Sequence, residues 1–305
     1  MSNNNTNTLI IVAGPTGVGK TAMAIQLARY YDTEIISADS RQIYKEMSIG
    51  TAKPTKEELS VVKHHFINHK SVTEEFSSGD FETEALQLLN TLFKNKEKVI
   101  VAGGTGLYIK AITHGLDYMP PVDEGLRTKL NRQYEQQGLG PLLDVLKEKD
   151  PEYYAEMDKK NPRRVVRALE VCLTSGMPYS SFRNSSSKAK RNFGSIFIGL
   201  HMDRSVLYQQ TDTRVDQMFA AGLQEEVKGL YKYKEFPSLQ TVGYSELFAH
   251  FDGKYDLNEA VRLIKRNTRR YVKRQMTWLN NQAEATWFRP QEFEKVVTFI
   301  NNGGI

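Results

Sequence analysis

The sequence has very little cysteine and no long hydrophobic run. Cys172 is the only cysteine among the 305 residues, so no disulfide can form within the chain, as is typical of proteins in a reducing compartment. The most apolar runs have the length of β-strands, well short of the roughly 20 residues that a membrane-spanning helix needs. The opening residues lack the basic start and apolar stretch of a signal peptide. We therefore expect a cytoplasmic protein without a membrane segment.

An excess of acidic residues is also missing. Lysine and arginine number 41 against 36 aspartates and glutamates, which gives a net charge of +5 and a pI near 9.0. This balance favours a polyanionic partner. The hydrophobic share of 40% and the charged share of 25% are ordinary for a globular protein. The length allows one large domain or a core with an insertion.

Near its start, the chain has an apolar strand followed by a glycine-rich loop of the pattern GxxxxGK[ST]. The strand is predicted at residues 9–13, and residues 22–28 after the loop form a plausible helix. Such a loop turns its N–H groups toward phosphate oxygens, Lys20 adds a positive charge, and the Thr21 hydroxyl can ligate Mg²⁺. The helix start favours the same anion. A phosphate or diphosphate site is predicted, whether or not the ligand is a nucleotide, at Gly14, Pro15, Thr16, Gly17, Val18, Gly19, Lys20 and Thr21.

Further β-branched runs predict a parallel sheet. They lie at residues 34–38, 98–102 and 195–200, separated by stretches with helical patterns. The predicted fold class is α/β, with a P-loop NTPase-like parallel sheet core. Ligands of such sheets collect at the carboxyl ends of the strands. The phosphate-binding loop, Asp39-Ser40 and Gly104-Thr105 should therefore surround one crevice.

Residues 118–194 are predicted to form a mainly helical insertion, which leaves residues 1–117 and 195–305 as the core. Helices are expected at Glu124–Gln137, Gly140–Lys149 and residues 163–174. The polar run at residues 183–191 predicts a mobile loop at the end of the insertion. The core is expected to become helical again at residues 204–231 and 258–279.

Two strand ends carry residues that suggest chemistry. Asp39 could ligate Mg²⁺ or act as a general base, or it could simply cap a helix. The next strand ends in Gly103-Gly104-Thr105 rather than in the acidic metal ligand of an ordinary nucleotide hydrolase. The glycines permit close approach of a ligand and the Thr105 hydroxyl can hydrogen-bond to it, although a simple turn is the alternative.

Basic residues cluster on two predicted helices. Arg163 and Arg167 lie one turn apart on the first. On the second, steps of three and four place a set of basic residues on one face without an acid among them. Like charges at this spacing repel, and a polyanion would relieve the repulsion, although a solvated face is the alternative. This set is Arg262, Lys265, Arg266, Arg269, Arg270, Lys273 and Arg274.

Other polar residues give weaker evidence of a functional site. Arg214 has two aspartates nearby in sequence, for which salt bridging is the simple interpretation. Adjacent histidines such as His64 and His65 point in different directions on a regular element, which argues against a metal site.

Several motifs together resemble the bacterial tRNA dimethylallyltransferases. The resemblance covers nearly the whole chain, with the motifs in the same order. Asn68 departs from it, standing where the family has an acid, and Leu279-Asn280 replaces an aromatic–Arg pair. The motifs are the loop Gly14–Thr21, residues 39–44, 49–54, 103–108, 161–170, 214–216 and 240–244, and Lys273-Arg274-Gln275-Met276-Thr277-Trp278.

The resemblance implies transfer of a dimethylallyl group from its diphosphate to the exocyclic amine of the adenine 3′ of the anticodon. Lys20, Arg214 and Mg²⁺ on Thr21 would neutralise the leaving diphosphate, Asp39 would accept the amine proton, and Thr105 would contact a substrate. The implied partners are dimethylallyl diphosphate and the tRNA anticodon stem-loop, bound by a monomer. Together with the basic clusters, this predicts tRNA contacts at Asp39, Ser40, Arg41, Gln42, Thr105, Arg127, Arg163, Arg164, Val165, Val166, Arg167, Arg269, Arg270, Lys273 and Arg274.

The sequence is also compatible with two other functions. A small-molecule or nucleoside kinase would share the loop and Asp39, but would have no need of the basic helix, and it would consume ATP. A non-catalytic RNA-binding switch could use the loop as a sensor, and Asp39 would then be dispensable.

Overall fold

The computed structural model describes residues 7–121, 123–183, 191–281 and 285–304. The chain divides into two compact units. Residues 1–113 and 191–305 form the sheet unit, and residues 114–190 form the helical unit, where the sequence predicts an insertion at 118–194. Residues 184–190 of the predicted mobile loop lie outside the described residues.

In the described residues, the sheet unit contains six parallel strands. They are β1 (Thr8–Ala13), β2 (Ile35–Ala38), β3 (His64–His65), β4 (Lys98–Gly103), β5 (Gly194–Leu200) and β6 (Thr286–Phe288). Their order across the sheet is β3-β2-β4-β1-β5-β6. The four predicted strands are confirmed, to within one residue at each end. The two edge strands span only two and three residues, too few for a hydrophobic pattern to reveal them.

Each strand is followed along the chain by one or more helices. Those of the described residues are α1 (Lys20–Tyr30), α2 (Lys56–Val61), α3 (Ser78–Leu92), α4 (Gly106–His114), α5 (Glu124–Gln137), α6 (Gly140–Lys149), α7 (Pro151–Glu156), α8 (Pro162–Ser175), α9 (Arg204–Ala220), α10 (Leu223–Gly229), α11 (Tyr244–Phe251), α12 (Leu257–Asn280) and α13 (Phe293–Asn301). Successive residues of β1 enter different apolar clusters, Leu9 and Ile11 on one face and Ile10 and Val12 on the other. This two-sided burial explains the unbroken apolar run.

The expectation that residues 204–231 are helical is confirmed, and the structure divides this stretch into two helices, α9 and α10, followed by a short 3-10 turn at Tyr231–Tyr233. Gly222 lies between the two helices with a φ of +96°. This left-handed backbone conformation ends the regular helical path and is easily adopted by glycine. The prediction for 258–279 is confirmed, because α12 begins and ends within one residue of it.

The helical unit contains α5 to α8 packed around its own apolar core. The predicted bounds of α5 and α6 are confirmed, and α8 begins and ends within one residue of the prediction. The side chain of Asn161 caps α8 by accepting a hydrogen bond from the N–H of Arg164 at 3.3 Å. Leu142, Leu146 and Leu169 are fully or almost fully buried in this core, so the unit has an apolar centre of its own.

Candidate active site

The glycine-rich loop connects the end of β1 to the start of α1. Gly17 and Gly19 have φ values of +84° and +99°, a region that side chains rarely adopt. A Cβ at Gly14 would lie 2.8 Å from Val18 and 3.0 Å from the Leu200 carbonyl oxygen, so only glycine fits there. The loop therefore has the curled backbone that presents N–H groups and a helix start to an anion.

Lys20 is the first residue of α1, and its side chain reaches back to this loop. Its Nζ donates a hydrogen bond to the carbonyl oxygen of Pro15 at 2.8 Å. Surrounding protein lowers the pKa of Lys20 to about 8; nearby Asp39 raises this pKa, and nearby Arg214 lowers it further. An ammonium held with an incomplete solvent shell gains when an anion binds, because the anion restores the lost stabilisation of its charge.

Asp39 follows the last residue of β2. One of its carboxylate oxygens, Oδ1, accepts hydrogen bonds from the backbone N–H of Arg41 at 2.8 Å and of Gln42 at 3.3 Å. These bonds stabilise a turn; the next helix begins only at Lys56. The alternative of a helix cap is therefore wrong for Asp39, whose carboxylate faces the cavity described below.

The end of β4 approaches the end of β2 very closely. A Cβ at Gly103 would lie 2.1 Å from the Ala38 carbonyl oxygen, and one at Gly104 would lie 2.2 Å from the side-chain nitrogen of Gln275. Thr105 ties the two strand ends together, because its hydroxyl accepts a hydrogen bond from the N–H of Ser40 at 3.0 Å. The Thr105 side chain thus positions the turn that follows Asp39.

Gln275 joins the glycine-rich loop to the end of β4. Its Oε1 accepts a hydrogen bond from the N–H of Thr16 at 2.9 Å, and its Nε2 donates one to the carbonyl oxygen of Gly104 at 3.1 Å. The side chain is buried. Sequence reasoning did not assign Gln275 a role; the available signal was an uncharged amide inside the motif Lys273-Arg274-Gln275.

A cavity of about 400 Å³ lies at the carboxyl edge of the sheet, within the size range of small-molecule sites. It brings together residues that are far apart in the sequence: the loop, Asp39 and Arg214. Tyr271, Lys53 and His64 also line it without having been predicted there. The polar and charged lining residues are Thr16, Lys20, Thr21, Ser37, Asp39, Gln42, Thr51, Lys53, Thr55, Glu58, His64, Arg214, Tyr271 and Gln275.

Arg214 projects from α9 into this cavity. Burial lowers the pKa of its guanidinium, while nearby Asp39 and Glu58 raise it. Its Nη2 donates a hydrogen bond to the carbonyl oxygen of Ala52 at 3.3 Å. The interpretation of Arg214 as a partner of the aspartates near it in sequence is wrong, because Asp212 pairs with Arg269 and Asp216 with Lys265.

These pairs also correct the expectation that α12 carries an uncompensated basic face. Arg269 contacts Asp212 at 2.6 Å and Lys265 contacts Asp216 at 2.6 Å. Arg262 pairs with Glu259 in the first turn of the same helix. Sequence spacing within one helix cannot show acids that α9 supplies. Arg270, Lys273 and Arg274 are exposed, so they remain the part of this face that RNA could contact.

In the helical unit too, some of the predicted tRNA-binding arginines are exposed and others pair with an acid. Arg163 and Arg164 are exposed. Arg127 and Arg167 pair with Glu170, a fully buried carboxylate, at 2.6 and 3.2 Å, so both have a structural contact as well as a partly exposed surface.

The prediction that two valines of α8 contact tRNA needs correction. Val165 is 0% and Val166 is 6% exposed. Both side chains pack in the apolar core of the helical unit. Because of this burial, their side chains are not available to an RNA surface.

The adjacent histidines have separate surroundings. His65 contacts Glu34 at 2.5 Å, whereas His64 lines the cavity and its Nδ1 lies 2.8 Å from the Val62 carbonyl oxygen. Burial lowers the pKa of His64. In the described part of the chain, no group of three or more His, Cys, Asp or Glu side chains could hold a metal ion.

The fold and this site define a class of protein. A parallel α/β sheet with a phosphate-binding loop at the end of its first strand has the P-loop NTPase-like fold. A carboxylate and a buried guanidinium share the cavity with the loop, an arrangement suited to transfer chemistry on a phosphorylated substrate.

Comparison with known proteins identifies the family within this class. The model of a family described as IPP transferase matches residues 42–282. A tRNA dimethylallyltransferase of Cytophaga hutchinsonii is 51% identical over 292 residues, which cover 96% of each chain. The chain belongs to the IPP transferase family.

Solved structures agree with this assignment. A full-length tRNA isopentenylpyrophosphate transferase from Bacillus halodurans is 38% identical, with a TM-score of 0.71 over 97% of this chain and 95% of that one. A eukaryotic dimethylallyltransferase, described as acting on tRNA, is 28% identical with a TM-score of 0.79 over 98% of this chain and 78% of that one. No helix in the described ranges is both long and apolar enough to cross a membrane.

Proposed function

We propose that this protein transfers a dimethylallyl group from dimethylallyl diphosphate to the exocyclic amine of the adenine 3′ of the anticodon in tRNA. The products are an isopentenyladenine in the tRNA and free diphosphate. Family membership and the relatives described as acting on tRNA support this reaction. The main structural support is that residues of the anion-binding loop, Asp39 and Arg214 line the same cavity.

The glycine-rich loop and two cations form the diphosphate half of the proposed site. The loop N–H groups and the start of α1 would bind the diphosphate, with Lys20 and Arg214 beside it. As the allylic C–O bond breaks, negative charge grows on the departing oxygen. Buried cations stabilise that charge strongly, because they are already held in place and shielded from water.

The residues present fit a magnesium ion bound with the diphosphate. Mg²⁺ prefers oxygen ligands and usually takes one or two protein ligands together with phosphate oxygens and water. The Thr21 hydroxyl and the Asp39 carboxylate both line the cavity, and Thr21 is the ligand we propose. When bound, the ion would offset the negative charge of the diphosphate.

Asp39 forms the amine half of the proposed site. The adenine amine is a poor nucleophile because its lone pair is delocalised into the ring, so placement of the base beside an allylic carbon matters most. As the new N–C bond forms, the amine loses a proton, and Asp39 would accept it. The backbone N–H donors of Arg41 and Gln42 hold one carboxylate oxygen in a fixed orientation.

The tRNA would reach this site with its target base out of the anticodon-loop stack. Ser40, Arg41 and Gln42 follow Asp39 directly and are the proposed contacts of that base and its neighbours. The exposed cations Arg270, Lys273 and Arg274 on α12 would bind backbone phosphates. In the helical unit, Arg127, Arg163, Arg164 and Arg167 are proposed for the same purpose.

Mass spectrometry of nucleosides tests the proposal. The protein is incubated with unmodified tRNA, Mg²⁺ and dimethylallyl diphosphate, with ATP left out. We expect one five-carbon unit on one adenine and release of diphosphate, and we expect chelation of Mg²⁺ to reduce the rate. Product that forms only when ATP is supplied and consumed would contradict the proposal.

Light scattering of the free and tRNA-bound protein tests the proposed monomer, which would act with its tRNA in the cytoplasm.

A further inference from the structure

A segment without regular secondary structure forms one wall of the cavity. It comprises residues 48–55, between the turn after β2 and the start of α2, and we call it the 48–55 segment. Thr51, Ala52, Lys53, Pro54 and Thr55 line the cavity directly. Ala52 has a φ of +48°, a strained conformation for alanine that persists only where surrounding contacts impose it.

The carboxylate of Glu226 holds the first part of this segment. Its Oε2 accepts hydrogen bonds from the N–H of Ser48 at 2.9 Å and of Ile49 at 2.8 Å, and its Oε1 accepts one from the N–H of Gly50 at 3.1 Å. Hydrogen bonds to an ionised acceptor are about twice as strong as neutral ones. Glu226 belongs to α10 and is not among the cavity-lining residues. It therefore holds the segment through these hydrogen bonds without lining the cavity itself.

Tyr244 completes this anchor. Its hydroxyl donates a hydrogen bond to Glu226 Oε1 at 2.7 Å, and its buried ring lies against Gly50. A Cβ at Gly50 would lie 2.6 Å from that ring. Burial and the neighbouring carboxylate raise the pKa of Tyr244, so the hydroxyl stays protonated and remains a donor. Each carboxylate oxygen of Glu226 therefore accepts two hydrogen bonds.

The far part of the segment contacts residues that the proposed reaction uses. The Ala52 carbonyl oxygen accepts a hydrogen bond from Arg214 Nη2 at 3.3 Å. Gln42 Nε2 donates to the carbonyl oxygens of Thr51 and Ala52, both at 3.2 Å. A displacement of residues 48–50 would thus be passed along a few peptide units to the guanidinium in the cavity.

We propose that Glu226 is a positioning residue for prenyl transfer, because it fixes the 48–55 segment and thereby aims Arg214 at the diphosphate. The inference rests on the proposed function, in which Arg214 stabilises the leaving group. Glu226 does not line the cavity. Misplacement of a catalytic group by about 1 Å can cost about 100-fold in rate, so loss of the anchor should reduce turnover without removing any group from the cavity.

A double-mutant cycle tests this inference. Glu226→Gln removes the charge and leaves one oxygen for four donors, and Glu225→Gln on the same helix is the control, since Glu225 is exposed. Prenyl transfer is measured for both, for Arg214→Gln, and for the Glu226→Gln/Arg214→Gln double variant. We expect Glu226→Gln alone to lower kcat by about 10- to 100-fold, with tRNA affinity unchanged within about twofold. In the Arg214→Gln background, Glu226→Gln should lower kcat by less than about threefold, because the effects of coupled residues are not additive.

The outcomes separate this inference from the proposed function. If the wild-type protein forms no isopentenyladenine, the proposed function fails. If the wild type is active, wild-type kcat in Glu226→Gln, or an equal fold loss in the two backgrounds, overturns the positioning role. Glu226→Asp keeps the charge and should recover part of the lost rate. Should Glu226→Gln not fold, the same cycle with Glu226→Asp gives the coupling with Arg214.

Discussion

The lowered pKa of Lys20 predicts how donor use depends on pH. In the free protein, surrounding residues lower this pKa to about 8, within the range where an assay can titrate it. Only the protonated ammonium can pair with the diphosphate. As the pH rises through 8, the charged fraction falls, so capture of the donor should weaken on the alkaline side.

The size of the effect follows from the titration. One pH unit above the pKa, about a tenth of the Lys20 side chains carry a proton, and each further unit removes about another factor of ten. The kcat/KM for dimethylallyl diphosphate should therefore fall about tenfold per pH unit above pH 8, because kcat/KM reports the free protein. Bound diphosphate favours the ammonium, so the same limb in kcat should appear at a higher pH.

The assay measures initial rates of prenyl transfer from pH 6.5 to 9.5 at saturating tRNA. Lys20→Arg is the matched variant, since a guanidinium stays charged throughout this range. Its absolute rate can differ because its shape differs, so the comparison is between the two pH profiles. A wild-type alkaline limb that persists unchanged in Lys20→Arg would refute the assignment of that limb to Lys20.

Three further predictions concern the acid, the basic helix and the helical unit. Asp39→Asn keeps an oxygen acceptor for the turn but removes the base, so turnover should fall by about 10²–10⁴-fold while tRNA affinity changes little. Changing Arg270 and Lys273 together to Gln should weaken tRNA binding and flatten its salt dependence by about 1–2 units, as measured in a salt titration. Glu170→Gln should lower the stability of the helical unit by about 1–3 kcal/mol in thermal or denaturant unfolding, because two arginines lose a buried anionic partner.

Each of these three predictions has a control or an opposing result. Near-normal turnover of Asp39→Asn would leave Asp39 with only the role of holding its turn. For the basic helix, Arg262→Gln removes an exposed charge that Glu259 already neutralises, so its salt slope should stay close to wild type; an equal effect in both variants would contradict phosphate contact at Arg270 and Lys273. An unchanged unfolding transition for Glu170→Gln would make its ion pairs energetically neutral.

The fold was largely predictable, because long elements repeat a pattern. The central strands are buried on both faces and read as unbroken apolar runs, and α5, α6 and α12 follow helical spacing with clear ends. The exceptions are local. β3 and β6 owe their existence to pairing with longer neighbours, and the break between α9 and α10 depends on one glycine whose conformation the spacing does not show.

Placement at the cavity was predictable for the glycine-rich loop and Asp39, because each directly follows a strand that the sequence pattern predicts. It was not predictable where a contact joins distant segments. Gln275 has its partners 171 and 259 positions away, and the local signal, an uncharged amide inside a basic motif, identifies neither partner. Asp212 compensates Arg269 from another helix for the same reason. Sequence patterns give the type of a side chain; its partners follow only from packing.

The position of β1 in the sheet has a consequence for synthesis of the chain on the ribosome. β1 pairs with β4 on one side and with β5 on the other, but the whole helical unit is translated before β5. During that interval the nascent sheet has an apolar edge with unpaired N–H and C=O groups, which is a template for aggregation. The helical unit, with its local contacts, forms faster than distant strand pairing. Chaperone protection should therefore matter most for nascent chains that end between residue 104 and the end of β5 at residue 200.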